Sequence, residues 1–273
     1  ARARCVRARD EDGKGKIEND TTAQCQSDGI RWFRRGLRTP TKSEYAAETM
    51  TPTMRLFCCF FLLVGCASPL AADDTTMVDN DVVRIEMAVD TPHHLNARHR
   101  HAMNRVMIYL DGGDMTLVYD DGHKDEQHWK PGQVAWSPAG DYHTSEDVGS
   151  TPMHIVEVML KKPGPATPPM RKPELDPVVL EPDKNVLLFE NDQVRVIRSL
   201  RQPGETEKIH EHTGVGRAVV CLTDVDASVK SADGTTVKLH KSPGDAFWAA
   251  GPVTHAATNT GAKKYELILV EVK

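Results

Sequence analysis

The sequence predicts an all-β protein made of two tandem copies of one sandwich or barrel domain. Three observations carry this. A motif near residue 80 recurs about 111 residues later, short apolar-rich runs are separated by Asp-Gly turns, and no stretch of 73–273 shows a helical period. At 273 residues the chain has room for two domains of ordinary size. Hydrophobic residues make up 39% and aromatics 5%, with 17 Pro and 19 Gly, which suits a soluble, turn-rich protein and neither a membrane protein nor a coiled coil.

The front of the chain differs from the rest. Residues 1–53 have no apolar period and are rich in Arg, Thr, Ser and Asp, so they are expected to be disordered or a non-native extension. Met54-Arg55 then precedes nine consecutive apolar residues, Leu56 to Val64, followed by small residues. A basic residue, a short apolar run and small residues describe a signal peptide over 54–72, and the run is far short of the ~20 residues that cross a bilayer. Leu63-Val64-Gly65-Cys66 also resembles a bacterial lipobox, which would lipidate Cys66. The expectation is export, to the periplasm or as a lipoprotein anchored through Cys66. The plainer alternative is a short apolar segment packed on the domain. After residue 72 one cysteine remains, Cys221, in the apolar run Ala218–Leu222. It has no partner for an internal disulfide and is expected to be buried rather than nucleophilic.

Residues 73–273 hold 22 Lys/Arg against 31 Asp/Glu, a balance that argues against nucleic-acid binding there. All 12 histidines lie at or after His93, so the chemistry is expected in this part. The repeat organises it. Val78-Asp79-Asn80-Asp81-Val82-Val83-Arg84-Ile85 reappears as Phe189-Glu190-Asn191-Asp192-Gln193-Val194-Arg195-Val196, shifted by 111. His99 and His101 reappear as His210 and His212 at the same shift. Gly132, Trp136 and His143 reappear as Gly244, Trp248 and His255 at a shift of 112. The first copy spans 73–162 and the second 178–273. Residues 161–183 carry seven prolines, so 163–177 reads as an extended linker without helix. Strands are predicted at Arg105–Leu110, Met115–Tyr119, Arg217–Leu222, Ala227–Lys230 and Thr236–His240, with turns at Asp111-Gly112, Asp121-Gly122 and Asp233-Gly234.

On a strand, side chains at i and i+2 share a face about 6.5–7 Å apart. His99/His101 and His210/His212 can therefore each aim two imidazoles at one ion. Two His-x-His pairs alone are weak evidence in so His-rich a chain. A third histidine 42 residues after the first pair and 43 after the second, each within a recurring Gly…Trp…His segment, is harder to obtain by chance.

These segments resemble the cupin family. The chain is similar to a bicupin, two cupin barrels (double-stranded β-helix, or jelly roll) in tandem, over roughly 78–160 and 178–273. Gly204 stands five residues ahead of His210-Glu211-His212, as the family's first motif asks, and the first copy has His93 in its place. The second motif is complete through Gly132, Pro138, Gly140 and His143, with Asp147 for the usual Asn. The second copy keeps Gly244, His255 and Asn259 but has Ala250 and Pro252 at the Pro and Gly positions. The resemblance implies a divalent transition metal (Fe, Zn, Mn or Ni) held by His99, His101 and His143 in one barrel and by His210, His212 and His255 in the other. The family's fourth ligand, a Glu, is replaced by Arg105 and by Arg217.

A guanidinium pointing into such a site would oppose a cation. It could instead pair with a substrate carboxylate, so Arg105 and Arg217 are candidate substrate-binding residues. Three neutral imidazoles remain a reasonable site and resemble the all-His iron site of cupin thiol dioxygenases. The bland alternative is a relic site, its histidines hydrogen-bonded to the Arg. His93, His94, His123, His128, His154 and His240 are expected to be structural or solvated. Trp136 and Trp248 either wall the pocket or pack the core. Two functions follow from the resemblance: a metal-dependent enzyme, an Fe dioxygenase or isomerase acting on a small molecule, or a non-catalytic binder of a small anionic ligand. The two copies are expected to pack as a pseudo-dimer within one chain.

Overall fold

A computed structural model describes residues 74–165, 167 and 169–273. The expected extension 1–53, the signal-like segment 54–72 and Cys66 lie outside the described residues. No helix among the described residues is long and apolar enough to cross a membrane.

The first copy contains eight strands: β1 (Thr75–Asp79), β2 (Val83–Asp90), β3 (Arg105–Tyr109), β4 (Gly113–Tyr119), β5 (Lys124–Trp129), β6 (Val134–Ser137), β7 (His143–Asp147) and β8 (Met153–Leu160). They form two antiparallel sheets, ordered β1-β2-β8-β3-β6 and β5-β4-β7. The second copy contains nine: β9 (Asn185–Glu190), β10 (Val194–Arg201), β11 (His210–His212), β12 (Gly216–Cys221), β13 (Val225–Ser231), β14 (Thr236–Lys241), β15 (Ala246–Ala250), β16 (Val253–Asn259) and β17 (Tyr265–Val272). Their sheets run β15-β12-β17-β10-β9 and β11-β16-β13-β14.

The repeated residues do the same local work in both copies. Asn80 Oδ1 accepts from the Val82 and Val83 amides, and Asn191 Oδ1 accepts from Gln193 and Val194, so each Asn-Asp pair turns the chain into the following strand. Gly132 and Gly244 take φ of +73° and +86° and donate to the carbonyls of Tyr109 and Cys221. His93 sits where the second copy has Gly204, and both positions are left-handed, at φ +60° and +76°. The backbone conformation is kept where the glycine is lost, at a strain cost on the histidine.

Residue alternation places the core. On β3, Arg105, Met107 and Tyr109 face the barrel interior while Val106 and Ile108 face out; β12 does the same with Arg217, Val219 and Cys221 against Ala218 and Val220. The outward faces are not solvated. Val83, Ile85, Val106, Ile108, Val156, Val158 and Leu160 join Val194, Val196, Ala218, Val220, Ile268, Val270 and Val272 in one buried apolar cluster. Each five-stranded sheet is thus buried on both faces, apolar on the outer one, and the two barrels cover each other. Asn104 bonding to Gln193, and Arg198 to the Gly132 carbonyl, add polar ties across the contact.

The structure corrects two expectations. The first copy's histidine pair does not lie on a strand: His99 makes only an isolated bridge to His143, whereas His210–His212 is a short strand paired with β16. The Pro-rich segment is not wholly extended, since Pro173–Leu175 is a 3-10 turn and α1 (Pro177–Leu180) a single helical turn, N-capped by Asp176, whose side chain accepts from the Val178 amide. Four residues are too few to show a helical period. The matched tryptophans take the expected core role, both packing against the inter-barrel cluster, and Trp136 also lines the first barrel's cavity.

Candidate metal centre

Each barrel interior converges on its three histidines. His99, His101 and His143 offer ring nitrogens that all lie within 4.8 Å of one another, and His210, His212 and His255 do the same. In the second barrel the register explains this directly, since His210 stands opposite His255 across β11 and β16 and His212 is two residues along on the same face. Both triads are positioned to bind a metal ion.

In each barrel the two His-x-His rings face one another through Nε2, 3.1 Å apart. With metal–nitrogen bonds of about 2.0–2.1 Å, neighbouring ligand nitrogens stand about 2.9–3.4 Å apart, so this separation fits one ion. The ring orientations in the second barrel fit as well. His210 Nδ1 donates to the Lys208 carbonyl (2.9 Å), and His212 Nδ1 donates to Glu271 Oε1, which leaves both Nε2 lone pairs bare and facing. Two bare lone pairs at that distance repel unless a cation lies between them. Protonation is a poor substitute. Burial, then Arg217 and His210, hold His212 well below the usual histidine range, and burial with Arg217 brings His255 down to about 2.

Both replacement arginines point into the barrels. Arg105 Nη1 donates to both Glu157 oxygens (3.0 and 2.9 Å) and reaches His101 Nδ1 at 2.5 Å. Burial, and next Arg105, bring His101 down to about 3. Arg217 is held differently. Its Nη2 lies 3.4 Å from His255 Nε2, and its buried Nη1 has no hydrogen-bond partner among the described residues. Glu271 and Glu207 are the acids whose field acts on it.

Glu157 and Glu271 were not foreseen. They lie on β8 and β17, the last strand of each barrel, more than fifty residues after the arginines they face. The available signal was a Glu at an inward, otherwise apolar position of each last strand: Ile155-Val-Glu157 and Leu269-Val-Glu271. The cavities also differ. The first barrel encloses about 790 Å³ lined by Arg105, Glu157, the histidines, Tyr109 and Trp129, whose rings stack at 3.8 Å. The second encloses about 180 Å³, walled by Val219, Val229, Leu239, Phe247 and Leu269 around the triad and Arg217.

The remaining residues behave as expected. Cys221 is buried, its thiol pushed up to about 12. His128, His154 and His240 lie on the surface, hydrogen-bonded through Nδ1 to Asp114, Asp111 and Asp226. Asn259 holds the chain, donating to the carbonyls of Arg201 and Lys263, while Asp147 in the matching place leaves Oδ2 buried without a partner among the described residues.

No protein-family model and no curated protein sequence matches the chain. Solved structures do. A variant of oxalate decarboxylase from Bacillus subtilis superposes with a TM-score of 0.52 at 10% identity, covering 72% of this chain and 71% of that one. A variant of salicylate 1,2-dioxygenase from Pseudoaminobacter salicylatoxidans gives 0.51 at 12% identity, covering 72% and 75%. With the repeat, the sheet order and the paired histidine triads, these likenesses establish the architecture: the chain has the bicupin fold, two cupin barrels in tandem.

Proposed function

We propose that the chain is an exported, metal-dependent bicupin that acts as a dioxygenase on a small carboxylate. The observation that carries the reading is the convergence of three buried or half-buried imidazoles in each barrel, with a separation that fits one divalent cation. His210, His212 and His255, and the matching His99, His101 and His143, would hold it. A bound iron would supply open positions for O2 and substrate. The protein's own groups do the rest. Arg217 presents an unpartnered Nη1 to a substrate carboxylate, and Val219, Phe247 and Leu269 exclude water from around it. Glu271 keeps the His212 ring oriented. Two of the structures that share the fold carry the names of enzymes of salicylate and oxalate, both small carboxylic acids, which is compatible with this chemistry. Fold alone fixes no reaction; the triads and Arg217 are what point to one.

Elemental analysis of the purified protein, followed by oxygen-uptake assays on small aliphatic and aromatic carboxylates, tests the reading. Bound iron and carboxylate-dependent uptake are expected. A protein that takes up no Fe, Zn, Mn or Ni after aerobic and anaerobic loading would overturn it. A second reading, a metal-free binder of a small anion, is favoured by one observation: a buried guanidinium with a free donor needs only an anion. Export would show as a mature N-terminus between residues 65 and 73 by mass spectrometry.

A further inference from the structure

The two triads carry the same three ligands at the same spacing, yet their hydrogen bonds place the protons oppositely. A guanidinium only donates and a carboxylate or carbonyl only accepts, so the partners dictate each ring's tautomer. In the first barrel Arg105 Nη1 donates to His101 Nδ1, so the proton of that neutral ring sits on Nε2. That Nε2–H points at His99 Nε2, 3.1 Å away, while His99 Nδ1 donates to the Ala97 carbonyl at 2.7 Å. The chain Glu157, Arg105, His101, His99, Ala97 is closed: each donor meets an acceptor. In the second barrel Glu271 takes the place of the guanidinium at His212 Nδ1, and both facing nitrogens are bare.

We infer that the barrels are functionally unequal: the second is the metal site, and Arg105 locks the first in a metal-free state with His101 Nε2 protonated. This rests on the metal reading above and narrows it to the second triad, removing His99, His101 and His143 from the working site. A cation in the first barrel would meet two usable lone pairs, those of His99 and His143, and one N–H. Moving that proton to Nδ1 would set an N–H against a guanidinium donor. The guanidinium cannot easily retreat, because both oxygens of Glu157 hold it. Arg217, in contrast, makes no ion pair within 4 Å among the described residues and only a long contact to His255, so no carboxylate pins it against the triad. The origin lies on the last strands. Arg217 stands opposite Glu271 across β12 and β17, whereas the equivalent partner of Arg105 is Met159, and the acid sits two residues earlier at Glu157. One pleat step decides whether the carboxylate reaches the histidine or the arginine.

The test has two independent readouts on the full chain. In metal-free wild type, long-range 15N–1H NMR of the imidazoles should show His101 protonated at Nε2 and His212 at Nδ1, with the peaks assigned through His101→Ala and His212→Ala. The same tautomer on both rings would overturn the inference whatever the metal does. Titration with Co(II) should give one tight equivalent, with a second bound at least about a hundredfold more weakly or not at all. His101→Ala should keep the tight equivalent, His212→Ala should lose it, and Glu271→Gln should weaken it about tenfold to a hundredfold. Two equivalents of similar affinity, or a tight site lost in His101→Ala, would overturn the inference and leave the metal reading standing. No bound metal in any variant would overturn both.

Discussion

Ile268 tests whether the barrels form one cooperative unit. It lies on β17, fully buried, beside Val220 on β12, in the cluster shared with Val106, Ile108 and Val158 of the other barrel. Ile268→Ala removes three carbons, about 2.4 kcal/mol of transfer free energy at about 0.8 each, and the unfilled space adds to it. A total of about 3 kcal/mol is expected, within the usual range of about 2–5 for such a change. Because the cluster belongs to both barrels, the loss should appear in both. Hydrogen exchange of the Val106 and Ile108 amides, in the first barrel, should speed up by roughly a hundredfold, as should that of Val270 in the second. Urea unfolding should remain a single transition with a lower midpoint. Protection lost around β17 but unchanged on β3 would refute the reasoning, because it would mean that the first barrel stands without the second.

Acid should destabilise the metal-free protein through its buried rings. His255 is held to about 2 when folded, by burial and then Arg217, but protonates near 6.5 when unfolded; its contribution is complete above 6.5 and is lost as pH falls, at roughly 1.4 kcal/mol per unit. The unfolding free-energy gap between wild type and His255→Gln should therefore shrink by about 2 kcal/mol from pH 6.5 to 5, and parallel curves would contradict this. Gly204→Ala should cost about 1–2 kcal/mol by chemical denaturation although nothing lies within 4 Å of the added Cβ, because the penalty is in the positive φ alone. Asp147→Asn should stabilise the fold by about 1 kcal/mol, since it replaces a partnerless buried oxygen by the amide that Asn259 uses in the second barrel; a lower melting temperature would count against it. Cys221→Ser should leave the native count of thiols reactive to a disulfide reagent unchanged and lower the denatured count by one.

Much of this protein is legible in its sequence because the relevant interactions are local or periodic. The Asn80 and Asn191 turns, the left-handed positions at Gly204 and Gly244, and the period-2 spacing of His210 and His212 each act within a few residues, so the repeat alone announces two β-barrels and their histidine triads. The isolated bridge at His99 and the single helical turn at Pro177–Leu180 escaped because they are shorter than any pattern. Tertiary structure decided the rest. Whether Arg105 and Arg217 opposed a cation depended on Glu157 and Glu271, which lie more than fifty residues away and reach the site only when β8 and β17 close each sheet. Which ring nitrogen carries the proton, how much room each cavity leaves, and why apolar strands are buried on both faces are properties of strand pairing and of one barrel covering the other. Such pairings are set by contacts between distant segments, and no local pattern encodes them.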